Sequence, residues 1–482
     1  MSRLVVVGGG ITGLAAAWEA SAQPRVEVIV LEADDRLGGK IRTSPIDDGV
    51  TAVSELAVND VADSETLVGE MVIDEGADAF LARVPDAVEL CRELGLDDEL
   101  TQPAIGRAQV FVDGELRFLP TDTVLGVPLD FDALAASGLV SPEAVARART
   151  EPEREWSAPQ GDVSIGAFLT ERYGREVVDH VVGPLIGGIN AGEVDRLSLA
   201  AVTPQLADAA ADGGSLTEAL RRRVPATAVS TPVFHALLGG TGRLTEALID
   251  ALRERGVTIE TGVRALGCTA SQGAVHVDVR RADGAITTLT TDEMVVCTPA
   301  RSAAEVLGTV SADAAAELAR ITYSSVALVT FVFDRADLSG ALDASGFLVP
   351  RDAGLLLTAA SIGSSKWAHW DNGRHVVLRV SAGHAGDERG VELSDADLVH
   401  GLQADLRTTM GVTAAPLAAR ISRWRDGFAQ YEVGHLDRVA AIESTLGRDC
   451  PQVRVAGASY RGLGIPACIR QGRTAVRDLF AD

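Results

Sequence analysis

The chain opens on an apolar run, Leu4 to Val7, which breaks into Gly8-Gly9-Gly10-Ile11-Thr12-Gly13 and resumes, after an alanine-rich stretch, as a second apolar run from Val26 to Leu31. Short continuous runs of branched apolar residues bounded by glycine read as buried strands, so residues 1–45 predict a β-α-β unit. The spacing of Ala87, Val88, Leu90, Cys91 and Leu94 predicts a helix over Asp86 to Leu94, stopped by Gly95. Residues 121–195 mix Pro and Gly with helical patches at Glu143–Arg149 and Ser164–Tyr173. Strand-like alternation returns at Val257–Glu260 and Val275–Arg280, and Gly284 sits in the turn before Ile286–Leu289. Met294–Cys297 predicts a buried strand ending in a sharp turn through Thr298 and Pro299, and Val326–Phe333 predicts another apolar strand. The end of the chain repeats the opening theme: strand Val453–Ala456, Gly457, a glycine-rich turn, and a helix over Ala467–Phe480. Arg221-Arg222-Arg223 leads into a polar stretch ending near Pro232 that reads as an exposed loop.

The opening unit carries chemistry. Gly8 suits the tight turn, Gly10 lets backbone approach a pyrophosphate, and Gly13 lets helix and strand pack closely, while the helix N-terminus offers free N–H groups to phosphates. Glu32 ends the second run at the spacing expected of a carboxylate that accepts both ribose hydroxyls, and its charge would repel a 2′-phosphate. The next residues separate nicotinamide from flavin. Arg36, Leu37, Gly38, Gly39 and Lys40 supply a second close backbone approach with flanking cations, which a diphosphate with a ribityl chain needs and a nicotinamide dinucleotide does not. At the far end, Gly464-Ile465-Pro466 begins a helix whose N-terminal dipole would stabilise the negative charge of a reduced flavin.

Composition narrows the class. With 482 residues the chain predicts two or three domains, and 46% hydrophobic residues describe a folded chain. No apolar run approaches a membrane span, and a first strand at Leu4 leaves no room for a signal peptide, so a cytoplasmic protein is expected. Five scattered cysteines, without a Cys-x-x-Cys pair, argue against disulfide or metal frameworks. A net charge of −25 argues against nucleic acid and anionic membrane surfaces as partners. The stretch 43–82 holds ten acids, Asp74 and Glu75 among them, and no Lys or Arg; it reads as a solvated surface insertion in preference to a partner-binding face.

Further stretches extend the picture: Gly187-Gly188-Ile189-Asn190-Ala191-Gly192, Cys297-Thr298-Pro299-Ala300, Gln430-Tyr431 with Gly434-His435, and Gly464-Ile465-Pro466-Ala467-Cys468-Ile469. In order and over nearly the whole chain, these resemble the bacterial protoporphyrinogen and coproporphyrinogen oxidases within the flavin amine oxidase superfamily. The chain departs from that pattern at Ala77 and Ala79, where the family has Pro and Ser, and at Ala429 and Ala467. The resemblance implies an α/β fold with a discontinuous Rossmann-like FAD-binding domain (1–78, 236–300, 421–482). It implies as well an α+β substrate domain (79–120, 196–235, 301–420) and a small helical subdomain (121–195).

It implies, too, non-covalent FAD and six-electron oxidation of a porphyrinogen, with hydride passing from the methylene bridges to flavin N5 and oxygen as acceptor, giving peroxide. Coproporphyrinogen III is favoured over protoporphyrinogen IX; a carotenoid desaturase, an amine oxidase and a non-catalytic FAD-fold binding protein are the rivals. Gly8, Gly10, Gly13, Glu32, Arg36, Gly39, Lys40, Gly76, Ala77, Gly457, Gly464 and Ile465 would hold the cofactor, with the Val263 backbone pairing to adenine. Arg83 would anchor a propionate, with Arg461 behind it; Asp78 would lie near the ring, and Phe80 and Ile189 would contact the macrocycle. A surface helix start for Arg83, a helix cap for Asp78 and core packing for Phe80 and Ile189 remain open. Trp367 and Trp370 read as packing or rim residues rather than a stacking site, and His435 as part of a structural turn. No nucleophile, triad or metal is called for. The resemblance also implies peripheral membrane contact through residues 121–195 and transient contact with the next haem-pathway enzyme.

Overall fold

The computed structural model describes residues 2–46, 71–223, 232–338 and 342–481. At its centre is a five-stranded parallel sheet, in the order Thr258–Glu260, Val26–Leu31, Ser2–Val7, Glu293–Val296 and Val453–Val455. Segments more than 400 residues apart in sequence thus meet in one sheet. Covered on both faces, its strands need no polar alternation, and Leu4, Val5, Val6, Val295 and Val453 are fully buried. One face carries the helices Ile11–Ser21 and Ile465–Phe480. They approach closely because the contact is built from Ala15, Ala16 and Gly472; a Cβ at Gly472 would collide with the Thr12 carbonyl oxygen. The other face carries an antiparallel meander, Arg264–Ser271, Ala274–Arg280 and Ile286–Thr291, with the helices Ala300–Leu307, Ala312–Ala319 and His435–Asp449.

The second layer is a seven-stranded sheet in the order Ala418–Ala429, Tyr323–Asp334, His375–Ala382, Leu357–Ile362, Gly346–Leu348, Ala108–Val112 and Glu115–Phe118. All neighbours are antiparallel except Gly346–Leu348 and Ala108–Val112. The helix Asp395–Met410 packs on it through Leu398, Leu402 and Leu406. A third unit is helical. Phe131–Ser137, Pro142–Arg149, Ile165–Tyr173, Gly183–Asn190, Pro204–Ala210 and Leu216–Arg223 share one apolar core. The helices between residues 199 and 223, expected with the substrate domain, therefore pack into the helical unit. Ser141, Ser164 and Ser198 accept N–H bonds as N-caps, as the sequence pattern requires.

The acidic stretch is described only at its ends, Thr43–Pro45 and Val72–Asp74, which pair antiparallel. Asp47, Asp48 and Glu55, and the loop following Arg223, lie outside the described residues. Asp74 and Glu75, expected in solvent, are buried instead. Asp74 accepts from Thr43 Oγ1 and from Thr241 N and Oγ1. Glu75 meets Arg42 at 3.0 Å and Arg420 at 2.6 Å and accepts from Ser44 and Ser422. Several of these partners come from distant segments, so local charge density says nothing about the burial of these two acids.

In the helical unit Glu151 is fully buried. It pairs with Arg172 at 3.1 Å and accepts from Ser215 Oγ and Leu216 N, while the Arg172 guanidinium lies over the rings of Trp156 and Phe168. Removing one charge of such a pair strands the other in an apolar core. Glu151→Gln should cost about 3–5 kcal/mol in the unfolding of this unit. Urea unfolding followed by Trp156 fluorescence measures it, and an unchanged midpoint contradicts the assignment.

Candidate active site

The opening glycines divide the work as their positions demand. Gly8 adopts φ +108°, and a Cβ there would come within 2.9 Å of the Cys297 carbonyl oxygen. A Cβ at Gly13 would collide with the Gly8 carbonyl oxygen, so only glycine lets the helix lie this close to the turn. Gly10 is the helix N-cap, without a side-chain cap, and a Cβ there would meet only Gly39 Cα, at 3.9 Å. The first-turn N–H groups and the Gly10 face therefore open toward a cavity, as a diphosphate requires. The second glycine motif is knitted to the first: the Gly38 N–H donates to Gly9 O at 2.9 Å. Arg36 braces this turn by donating to the carbonyls of Leu37 and Gly39. Lys40 reaches across to donate to the Gly427 carbonyl.

Glu32 stands at the carboxyl end of its strand with Oε2 accepting from Gly9 N at 2.6 Å and Oε1 from Asp34 N at 2.9 Å. Its carboxylate is fixed in the cavity wall before any ligand arrives. Gly76 is backed by the Lys40 carbonyl, and Ala77 O accepts from Thr241 Oγ1. Val263 lines the cavity, but its N–H already donates to Glu32 O at 2.8 Å. Of the Val263 backbone expected to pair with adenine, the carbonyl is the group not engaged by Glu32.

The closing turn is held from outside by aromatic side chains that the sequence reading did not assign to the site. Tyr431 and His435 stack with ring centroids 3.9 Å apart. The Tyr431 hydroxyl donates to Ala458 O and accepts from Gly462 N, both at 2.9 Å, while His435 Nε2–H donates to Tyr460 O at 2.8 Å. Tyr323 adds a third brace, its hydroxyl 2.8 Å from Ser459 Oγ and accepting from Ala300 N. The turn then presents Ala458, Ser459, Leu463, Gly464 and Ile465 to the cavity. Gly464 is the N-cap of the closing helix and again carries no side-chain cap. Gly13 and Gly457 stand behind the cavity wall rather than in it, shaping the two turns. Cys468 is buried and free, and burial pushes its thiol up.

The cavity measures about 2750 Å³. That is several times the ~300–1,000 Å³ of a pocket for one drug-sized ligand, so it has room for a dinucleotide and a second large molecule. The Thr298 hydroxyl, buried beside Gly8 in the cavity wall, has no partner among the described residues, which suits an added ligand. Donors, carboxylate and open glycine faces all fit FAD. Of the substrate candidates, Ile189 stands 56% exposed on the cavity wall, whereas Phe80, also at the wall, is 3% exposed and tilted against His235. Arg83 lines the mouth. Arg461 does not reach the cavity; it points outward to Glu443 at 2.6 Å, because the turn that carries it faces the helix His435–Asp449.

Asp78 does not cap a helix. It pairs with Lys366 at 2.9 Å and Arg379 at 3.6 Å and accepts from Trp367 Nε1. Burial alone would push its carboxyl up; the two cations and the Lys366 and Trp367 hydrogen bonds hold it well below the usual carboxylate range. Lys366, Arg379 and Trp424 are wall residues that sequence reading missed. Lys366 ends a single-turn helix and Arg379 and Trp424 lie on separate strands; the reading of Trp367 and Trp370 as packing or rim residues did not extend to Lys366. Trp367 and Trp370 are indeed buried.

A parallel sheet of this order with two uncapped helix starts facing one cavity is the architecture of a dinucleotide-binding protein. The comparisons agree: a profile described as flavin containing amine oxidoreductase matches residues 11–480, and the chain belongs to that family, with FAD as its cofactor. It is 31% identical to the coproporphyrinogen III oxidase of Bacillus subtilis (strain 168), over 99% of this chain and 97% of that protein. It is 32% identical to the coproporphyrinogen III oxidase of Propionibacterium freudenreichii subsp. freudenreichii, over 99% and 90%. A solved protein from Exiguobacterium sp. 255-15 superposes with a TM-score of 0.84 at 30% identity, covering 99% of this chain and 98% of that one.

Glu32→Ala should weaken FAD by roughly 1.5–3 kcal/mol, the worth of hydrogen bonds to a charged group. Tyr431→Phe should cost about 0.5–1.5 kcal/mol of FAD affinity through a loosened turn. Dialysis followed by flavin absorbance reads both, and unchanged retention contradicts either. His435 is lowered by burial to about 4 from an ordinary 6.5, which favours its neutral form in the fold. The unfolded chain then binds the extra proton, so stability should fall as pH drops from 6.5 toward 4. His435→Gln should flatten that acid limb in thermal melts; an unaltered pH dependence contradicts it.

Proposed function

We propose that this flavoenzyme oxidises coproporphyrinogen III to coproporphyrin III in the cytoplasm, removing six electrons with molecular oxygen as acceptor. The observation that carries the reading is the cavity: beside the dinucleotide fingerprint, its wall joins apolar residues (Ile189, Phe234, Leu348) to arginines at the mouth (Arg83, Arg107). An apolar ring with carboxylate arms matches that combination. The full-length likeness to proteins named coproporphyrinogen III oxidase supports it.

FAD, when bound, would supply the hydride acceptor and the route of electrons to oxygen. The chain's own residues do the rest. Glu32 and the Gly10 helix start would hold the ribose and diphosphate of FAD, and Gly39, Lys40, Gly76, Ala77, Gly464 and Ile465 would wall its flavin end. The N-terminus of the closing helix would favour the negative charge of a reduced cofactor. Ile189 and Phe234, both exposed on the cavity wall, would support the macrocycle, with buried Phe80 packed into the wall. Because aromatisation drives the reaction, orientation is the main task.

Substrate charge decides between two readings, since protoporphyrinogen IX has two propionates where coproporphyrinogen III has four. A chain of net charge −25 repels carboxylates, so local cations must overcome its field. Arg107 has no carboxylate partner among the described ion pairs and lies 3.7 Å over the Phe118 ring, which leaves its charge to the mouth. Arg83→Ala should lower kcat/KM for coproporphyrinogen III about ten- to a hundredfold with FAD content unchanged. The wild-type preference for the tetracarboxylate should shrink at high salt. Porphyrin fluorescence measures both; equal rates on both substrates with an inert Arg83→Ala favour protoporphyrinogen IX.

A further inference from the structure

We infer that Lys366 binds a carboxylate of the substrate inside the cavity, oriented by Asp78; the inference rests on the porphyrinogen reading above and adds a residue to it. Lys366 ends the single-turn helix Gly363–Lys366 and lines the cavity with Leu81, Arg83 and Phe234. Its ammonium lies 2.9 Å from Asp78 Oδ2, and Trp367 Nε1 donates to the same oxygen at 3.1 Å. The other oxygen faces the Arg379 guanidinium, which also donates to the Gly76 carbonyl. All three charged side chains are largely buried, at 18% exposure for Lys366, 20% for Asp78 and 10% for Arg379.

Two carboxylates, Asp78 and Asp74, face two cations: Asp74 accepts from Thr43 and Thr241 and its charge also acts on Arg379. A shielded ammonium is costly to bury unless its remaining donors are met. Arg379 is committed to Asp78 and to the loop at Gly76. Lys366 is not: an ammonium carries three donors, and among the described contacts one is used, on Asp78. The rings of Trp367 and Phe234 stand 4.9 and 5.9 Å from Nζ, so the ammonium is screened from water yet open on the cavity side.

Both Asp78 oxygens are taken, so Asp78 does not itself receive substrate; it is a positioning residue that aims Lys366. A porphyrinogen lying against Ile189 and Phe234 would bring a propionate arm to this ammonium while Arg83 or Arg107 takes an arm at the mouth.

The test uses the FAD-loaded enzyme and two variants, Lys366→Gln and Lys366→Met, the second keeping the stem without the charge. For coproporphyrinogen III, KM should rise about tenfold or more, well beyond any fall in kcat, with FAD content and flavin spectrum as in the wild type. Lys366→Arg should recover most of the loss. Independently of turnover, oxidised wild-type enzyme should bind coproporphyrin III more tightly than its tetramethyl ester, and both variants should narrow that difference. Unchanged KM and an unchanged acid-to-ester ratio in the folded variants would overturn the role of Lys366 while leaving the porphyrinogen reading standing. A wild-type enzyme that oxidises neither coproporphyrinogen III nor protoporphyrinogen IX would overturn both.

Discussion

The architecture depends on two helices lying against the parallel sheet and each other with almost no side chain between them. Gly13 lets the first helix ride on the Gly8 turn, and Gly472 lets the closing helix rest on the Thr12 carbonyl. Their N-termini consequently open on one cavity from two ends of the chain. Close approach without Cβ atoms gives up apolar burial at the contact. The surrounding strands recover it, since Leu4, Val5, Val6 and Val295 are fully enclosed.

Charge is handled differently inside and out. The chain is acidic overall, yet its buried acids are each met by partners from distant segments: Glu75 by Arg42 and Arg420, Glu151 by Arg172, Asp78 by Lys366 and Arg379. Glu75 and Glu151 lie away from the cavity and hold the fold, whereas Asp78, Lys366 and Arg379 line it. That placement, with an ammonium that has donors to spare, separates a structural ion pair from one poised for a ligand.

Local signals reached the nucleotide site and stopped short of the substrate side. Gly8, Gly10, Gly13, Glu32 and the Gly38-Gly39 turn were readable because their roles follow from backbone geometry at fixed short spacing. Helices such as Pro85–Glu93 and Pro142–Arg149 were readable from periodicity. The Asp78–Lys366–Arg379 group was not, since Asp78 is separated from the two cations by about 300 positions and meets them only in the folded chain. Tyr431 and His435 were visible as a motif, but their grip on the closing turn depends on a stack that no spacing reveals. Asp74 and Glu75 were misplaced in solvent because their counter-ions and hydroxyl partners come from elsewhere in the chain.

The account's central claim is that the cofactor site and the large cavity form one reaction chamber for a porphyrinogen. Anaerobic mixing of the oxidised, FAD-loaded enzyme with coproporphyrinogen III tests it most directly, with flavin absorbance and porphyrin fluorescence followed together. Two electrons per flavin and six per macrocycle predict that flavin bleaches as porphyrin appears, with three flavins reduced for each porphyrin formed. Flavin that stays oxidised while the porphyrinogen persists would contradict it.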